Sequence, residues 1–379
     1  MAKPHFMPIP PGTSLAGQTI LITGGNSGLG LEFARQSLTL KASRVIITVR
    51  SQAKGDAALA ALRADPEVQA TNPDASLEYF YLDLDSYESG LDLVSRVYTE
   101  VPELDTLLCN GGTNIFNYEM SKSGHERLMQ VLCYTHFLIV LSLLPLLSVT
   151  AFKRREPSRV TFLSSYSHVR HTLKSNSIAA EDSIIGHFDN AKNYISGKRY
   201  QDGKLIVNAF VQRLAGVVSP SEVIINCVCP GIVATDINQN LPFWIKPFMS
   251  VFFKLQARPV VEGGRVVVRA AVVVGNESHG RYLQSGEIHG GASFLAQPAG
   301  VEFIEKLWAE IVADVGKYNP QLKIYGLGKP WRDSRVPYNE TLMHYDASVR
   351  QDLDQVDTST VAELSCTGGS SLEKEMDPM

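Results

Sequence analysis

Along this chain, continuous apolar runs alternate with stretches of helical periodicity. Apolar runs rich in β-branched residues occupy positions 19–23, 44–49, 77–82, 104–109, 159–163 and 223–228. Helical patterns separate them, near 28–40, 53–64, 87–99, 124–147 and 204–217. A strand with no polar alternation is buried on both faces, the mark of a parallel sheet covered by helices on each side. The expected fold class is therefore α/β, with a doubly wound parallel sheet in a single domain over 17–330.

Other stretches depart from that rhythm. Residues 1–16 are proline-rich and read as a flexible arm. Residues 166–199 are polar and weakly periodic, as in a long loop beside the sheet. The segment 237–256 is strongly apolar, carrying Leu241, Phe243, Trp244, Ile245, Phe248, Met249, Phe252 and Phe253. It is expected to form a substrate cap that lines an apolar pocket. Docking on a membrane surface is the less favoured use. Residues 331–379 form a C-terminal extension, expected to be largely disordered at its end. After Arg350, Lys374 alone faces Asp352, Asp354, Asp357, Glu363, Glu373, Glu375 and Asp377. Too little apolar surface is available there to offset the entropy of ordering.

Composition narrows the classes. Hydrophobic residues make up 44% of the chain and charged residues 20%, ordinary for a globular protein. A net charge of -4 without a basic stripe argues against nucleic acid as a partner. The N-terminus has no apolar core of the signal-peptide kind. The apolar run 137–149, broken by Ser142 and Pro145, is short for a bilayer span and fits a buried helix. The expected location is cytoplasmic. Five scattered cysteines read as free thiols, Cys109, Cys227 and Cys229 buried in strands. A lone Cys227-x-Cys229 pair on a buried strand makes a poor metal site, so no metal is expected.

The first strand runs into Thr23-Gly24-Gly25-Asn26-Ser27-Gly28-Leu29-Gly30, and a helix follows. Glycines allow a sharp turn and a close approach of pyrophosphate, and the helix N-terminus offers free N–H groups. This is the setting of a dinucleotide site in a Rossmann-like sheet. The second strand ends at Thr48-Val49-Arg50-Ser51, with no carboxylate to accept from a ribose 2′-hydroxyl. Arg50 instead offers a cation for a 2′-phosphate, which favours NADP(H) over NAD(H).

From here the chain resembles the short-chain dehydrogenase/reductase family over about 17–300. Asp83 and Leu84 look like its adenine-contacting pair. Asn110-Gly111-Gly112 is similar to its Asn-Ala-Gly element, Ser164-Ser165 to its serine motif, and Tyr200-Gln201-Asp202-Gly203-Lys204 to its Tyr-x-x-x-Lys. Pro230-Gly231, followed by Val233 and Thr235, resembles the stretch that lies along the nicotinamide. The likeness is strongest to retinol-dehydrogenase-like and WW-domain-oxidoreductase-like members, on Ser164-Ser165-Tyr166-Ser167-His168 and Gly280-Arg281-Tyr282-Leu283. The insertion and tail also look similar to fungal tailoring reductases of polyketide pathways.

The resemblance implies hydride transfer between NADP(H) and a small apolar ketone, aldehyde or alcohol, and it is compatible with a homo-oligomer. Ser165, Tyr200 and Lys204 are the expected catalytic residues. A tyrosine hydroxyl can give or take the proton, but its free pKa of about 10 is high. A lysine one helical turn away is expected to lower it. By resemblance, Lys204 also holds the nicotinamide ribose, and Ser165 binds the substrate oxygen. Tyr194 and Lys198 form a second Tyr-x-x-x-Lys. Tyr200 is preferred because Lys204 leads directly into Leu205, Ile206, Val207, Ala209, Phe210 and Val211, whereas Gly197 weakens a helix through the earlier copy.

One departure stands out. In Gln130-Val131-Leu132-Cys133-Tyr134-Thr135-His136, Leu132 takes the place of a family Asn at a helix kink whose backbone carbonyl serves a proton-relay water. Two alternatives stay open on the sequence: a protein of this fold that binds NADP(H) for a non-redox step or for sensing, and a membrane-peripheral lipid or retinoid dehydrogenase.

Overall fold

The computed structural model describes residues 8–174, 177–233 and 257–327. All fall within the unit Met1–Ser334. The chain alternates strand and helix: β1 (Thr19–Ile22), α1 (Gly28–Thr39), β2 (Arg44–Val49), α2 (Gln52–Ala64), α3 (Pro66–Thr71), β3 (Ser76–Tyr81), α4 (Tyr87–Glu100) and β4 (Thr106–Cys109). There follow α5 (Arg127–Arg154), β5 (Ser158–Leu163), α6 (Ile184–Asp189), α7 (Arg199–Ala215) and β6 (Val223–Cys229). The described part ends with α8 (Val260–Val268), β7 (Tyr282–Gln284), β8 (Glu287–His289) and α9 (Pro298–Tyr318).

These strands form one sheet in the order β3-β2-β1-β4-β5-β6-β7-β8. The first seven are mutually parallel, and β8 closes the edge antiparallel to β7. Leu21 of β1 sits in register between Ile46 of β2 and Leu107 of β4. The strand order reverses between β1 and β4, and in open α/β sheets ligands bind at the carboxyl ends of the strands beside such a switch. The doubly wound, Rossmann-like expectation is met.

Both sheet faces are covered. On one side Phe33 and Leu38 of α1 join Val267 and Val268 of α8 over Ile22, Val45 and Ile47. On the other, Phe137 of α5 and Phe210 of α7 stack with ring centroids 3.8 Å apart, and Phe162 of β5 meets both edge-on. Trp308 of α9 tilts over Phe210 at 5.6 Å.

Some elements differ from the sequence expectation. The stretch 166–199 is not a bare loop: it carries 3₁₀ turns at Tyr166–Arg170 and Thr172–Lys174, then α6. α7 starts at Arg199, earlier than the apolar pattern, because polar Tyr200 and Gln201 still fill its first turn. β7, β8, α8 and α9 lie beyond the expected set. The apolar run 137–149 falls inside α5, the one described helix long and apolar enough for a membrane span, and 94% of its apolar window is buried. Cys109, Cys133, Cys227 and Cys229 are buried free thiols. The apolar segment 237–256 and the extension after 327 lie largely or wholly outside the described residues.

A buried ion cluster fastens the 184–199 stretch to the body. His125 Nδ1 is 2.8 Å from Asp189 at the end of α6, and its Nε2 is 3.0 Å from Asp314 on α9. Tyr87 and Lys317 also bond Asp314. Burial disfavours a charged imidazole, but the bonds and charges of Asp189 and Asp314 outweigh it and push the His125 pKa up to about 9. A folded-state pKa above the unfolded value gives stability that is complete below about pH 6.5 and is lost as pH rises through the folded value. We therefore expect unfolding free energy to fall between about pH 6.5 and pH 9, and His125→Gln to remove that slope at a cost of about 3 kcal/mol at pH 6. Urea titrations of both proteins across this range check it; equal slopes would contradict the assignment.

Candidate active site

The carboxyl ends of the strands open into a cleft of about 1540 Å³. That exceeds the roughly 300–1,000 Å³ of a pocket for a drug-sized ligand and leaves room for a dinucleotide with a second molecule. The turn after β1 forms one wall. Gly24 has φ +64, and a Cβ there would stand 2.9 Å from Gly111 Cα, so the turn can touch the end of β4 only because residue 24 is glycine. Gly24, Asn26, Ser27, Gly28 and Leu29 line the cleft. Ser27 caps α1 in an extended conformation without a side-chain cap bond, which leaves the helix N–H groups available to an anion.

Most of the other expected binding residues face the same space: Arg50, Asp83, Leu84, Asn110, Gly111, Pro230, Gly231 and Val233. Gly30 does not. It lies behind the turn, where a Cβ would be 2.5 Å from Asn110 Nδ2, so it serves close packing and does not face the cleft. Thr235 lies outside the described residues. Lys54, which the sequence reading passed over, lines the cleft with Arg50. It sits in the first turn of α2, four residues after Arg50, and that spacing was the available signal. Burial would raise the Asp83 carboxyl, but Lys122 at 2.8 Å and the charge of Arg50 hold it below its ordinary value.

Asn110 fixes the turn from across the sheet. Its side-chain amide donates to the carbonyls of Thr23 and Gly24, both at 2.9 Å. Thr23 Oγ1 in return accepts the backbone N–H groups of Asn110 and Gly111, both at 2.9 Å, and contacts His136 Nε2 at 2.9 Å.

Ser165, Tyr200 and Lys204 meet in the cleft beside Cys229. The Ser165 side chain lies beside the Tyr200 hydroxyl and favours its ionised form. Lys204 Nζ donates to the Leu163 carbonyl at 2.6 Å and stands 5.5 Å from the centre of the Tyr200 ring. Burial pulls the Lys204 pKa down to about 8, against the thiols of Cys133, Cys227, Cys229 and Cys109 around it. The Tyr200 hydroxyl differs from expectation. Burial and Cys229 push its pKa well above the ordinary value, and the Ser165 side chain offsets only part of that. Lys204 does not lower it in this state, because its ammonium is turned to the Leu163 carbonyl. A raised pKa keeps the phenol protonated at neutral pH, the form a proton donor needs.

The rival pair is set apart. Tyr194 precedes α7, donates to the Ile115 carbonyl at 3.2 Å and packs against Arg199 and Tyr118. Lys198 is exposed at the cap of α7, after Gly197 at φ +71. Ser164 accepts from Asn208 Nδ2 at 2.8 Å, and Ser165 caps the turn that follows. His168 Nδ1–H donates to the Ser165 carbonyl at 2.6 Å, and neither His168 nor His171, both buried, lines the cleft.

The helix kink is present without the Asn. Residues Gln130–Tyr134 form a π-turn inside α5, and Thr135 N–H reaches back five residues to the Gln130 carbonyl. The Val131 carbonyl thereby loses its ordinary i+4 partner. Side chains hold the bend: Gln130 Nε2 donates to Thr135 Oγ1 at 2.7 Å, Thr135 Oγ1 donates to the Leu84 carbonyl at 2.8 Å, and Cys133 Sγ donates to the Gly203 carbonyl at 3.2 Å. Leu132 itself fills the gap between Gly112 and Gly203.

A glycine turn at a helix N-terminus, a Ser–Tyr–Lys trio and a π-turn around one cleft fit a dehydrogenase of the short-chain type. The chain belongs to the short chain dehydrogenase family. The family model described as short chain dehydrogenase matches residues 18–177. Among curated proteins, the chain is 50% identical over 289 residues to the short chain dehydrogenase sor7 of Hypocrea jecorina, covering 76% of this chain and 80% of that protein. It is 36% identical over 315 residues to the short chain dehydrogenase macD of Penicillium terrestre, covering 83% and 96%. Both relatives are fungal. Among solved structures, the RhlG/NADP active-site complex of Pseudomonas aeruginosa shares the fold with TM-score 0.54 at 22% identity, covering 73% of this chain and 97% of that one. The protein is an NAD(P)-dependent oxidoreductase acting on CH–OH or C=O groups.

Because the kink already exists with leucine, Leu132→Asn should change the single-turnover rate of NADPH oxidation with an apolar ketone by less than about tenfold, or 1.4 kcal/mol of barrier. A silent wild type beside an active Leu132→Asn would contradict this.

Proposed function

We propose that the protein is an NADP(H)-dependent reductase of small apolar ketones or aldehydes, reversible to the alcohol, working in fungal secondary-metabolite biosynthesis. One observation carries the reading: Ser165, Tyr200 and Lys204 open on the same cleft as the glycine turn, with Lys204 one helical turn from Tyr200. The fungal relatives support the pathway. Burial of α5 within the fold supports the cytoplasmic expectation.

When bound, the cofactor supplies the hydride. Gly24, Asn26, Ser27, Gly28 and Leu29 would hold its pyrophosphate against the start of α1, and Leu84 and Asp83 its adenine. Arg50 and Lys54 would take the 2′-phosphate. No carboxylate occurs between 50 and 54 to favour a free 2′-hydroxyl. Asn110, Gly111, Pro230, Gly231 and Val233 would border the nicotinamide half, with Thr235 expected beside them.

Ser165 Oγ donates to the substrate carbonyl oxygen and orients it toward Tyr200. The Tyr200 hydroxyl gives its proton to that oxygen as the alcohol forms, which leaves a phenolate. The Lys204 ammonium lowers the energy of the phenolate while its own burial keeps water from screening the charge. A proton from solvent then restores the phenol. In oxidation the same groups run in reverse.

Tyr200→Phe should lower reduction at least about a hundredfold while NADPH binding stays within about threefold, since the lost group is a proton donor. Lys204→Ala should damage both, and Tyr194→Phe should do little. Steady-state rates with a panel of apolar ketones and aldehydes, beside NADPH fluorescence titrations, check this. Activity that survives Tyr200→Phe and is lost in Tyr194→Phe would move the site.

Arg50→Asp should reverse the cofactor preference. Comparing kcat/KM for NADPH and NADH in both proteins tests it, and a wild type that uses NADH as well as NADPH would overturn the choice of NADP(H).

A further inference from the structure

His136 lies on α5 just after the π-turn, 1% exposed, and has no part in the chemistry described above. Its partner fixes its state. A threonine hydroxyl has one hydrogen and two lone pairs. Thr23 Oγ1 accepts the N–H groups of Asn110 and Gly111, which occupies both lone pairs. Its hydrogen needs an acceptor. The Leu108 carbonyl is 3.4 Å away and already receives the N–H groups of Thr23 and Asn110 at 2.9 and 3.1 Å. His136 Nε2, at 2.9 Å, is the better acceptor. Nε2 must then be bare, and the ring proton sits on Nδ1. That nitrogen faces the carbonyls of Val131 and Leu132 in the π-turn without closing a well-formed hydrogen bond to either.

We propose that His136 is a positioning residue: as the Nδ1–H tautomer it takes the Thr23 hydroxyl hydrogen bond and so locks the cofactor-binding turn to the π-turn of α5. The bond orients Thr23 Oγ1 toward the backbone of Asn110 and Gly111. Asn110 is thereby set to clasp the Thr23 and Gly24 carbonyls at 2.9 Å, and these shape the pyrophosphate wall. Burial and the nearby Lys204 charge hold the ring neutral far below physiological pH, so the acceptor persists. The bridge also supplies a tie to the bend at Leu132, where no side-chain amide is available.

The inference rests on the cofactor site proposed above, and its test has one arm that needs no cofactor. In full-length wild type, nitrogen-15 NMR of the histidine side chains should show His136 neutral with its proton on Nδ1 at pH 6 to 7. An Nε2–H tautomer, or an imidazolium, would overturn it. The second arm is NADPH binding by fluorescence. Gln places its amide near Nε2 and can accept from Thr23, whereas Asn places its amide near Nδ1 and cannot. His136→Phe and His136→Asn should weaken NADPH binding at least about tenfold, and His136→Gln should recover most of that loss. Adding His136→Phe to Thr23→Val should cost little beyond Thr23→Val alone, because both remove the same bond. Equal binding in Asn and Gln variants, or additive losses in the double variant, would refute the bridge. A wild type that shows the Nδ1–H tautomer yet binds no NADPH would instead count against the cofactor reading.

Discussion

Three segments far apart in the chain meet at one buried hydroxyl. Thr23 Oγ1 joins the end of β1 to the backbone after β4 and to His136 on α5. The constraint behind this is the cost of an unpaired backbone N–H away from water, on the order of 1–3 kcal/mol each. β1 and β4 stop after four residues, so the sheet ladder no longer serves Asn110 and Gly111. A hydroxyl with two free lone pairs serves both. The glycine turn cannot move from the end of β4 without exposing these groups, so the turn, the end of β4 and the kinked helix hold one geometry.

The π-turn extends that geometry toward the catalytic residues. Thr135 ties it to the Leu84 carbonyl on the adenine side, and Cys133 ties it to the Gly203 carbonyl beside Lys204. Lys204 is a charge held among thiols and carbonyls with no carboxylate among the groups that set its pKa, which explains a value near 8. The same apolar packing lifts Tyr200. Burial thus moves the two groups apart on the pH scale: the Tyr200 phenol holds its proton at neutral pH, while Lys204 gives its own up more readily than a free lysine.

Much of this was legible in the sequence. β1, β2 and β6 are Val- and Ile-rich runs buried on both faces, and their pattern marks them within a residue or two. The glycine turn, Asn110, Ser165 and the Tyr200 pair could be read because their spacing is local. β7 and β8 could not, since three residues give no usable period. α9 was within reach: Phe303, Ile304, Leu307, Trp308 and Ile311 keep helical spacing after Pro298. The π-turn leaves no trace in hydrophobic periodicity, because one shifted hydrogen bond changes the phase by a single residue in an apolar helix. Leu132 therefore read as a defect where the fold keeps the bend. His136 and His125 carry no local signal in the sequence for a related reason. Their partners lie 113 and 64 or more positions away, and no local rule connects them.

The central claim is that this cleft delivers a hydride to a carbonyl carbon. The most direct measurement is isotope transfer. NADPH deuterated at the transferring C4 position is incubated with the protein and an apolar aryl ketone, and the alcohol is analysed by mass spectrometry and NMR. The account predicts one deuterium on the carbinol carbon, on a single face, and a primary isotope effect on the single-turnover rate. Alcohol formed without deuterium on that carbon, or no alcohol from any ketone or aldehyde despite saturable NADPH binding, would contradict it.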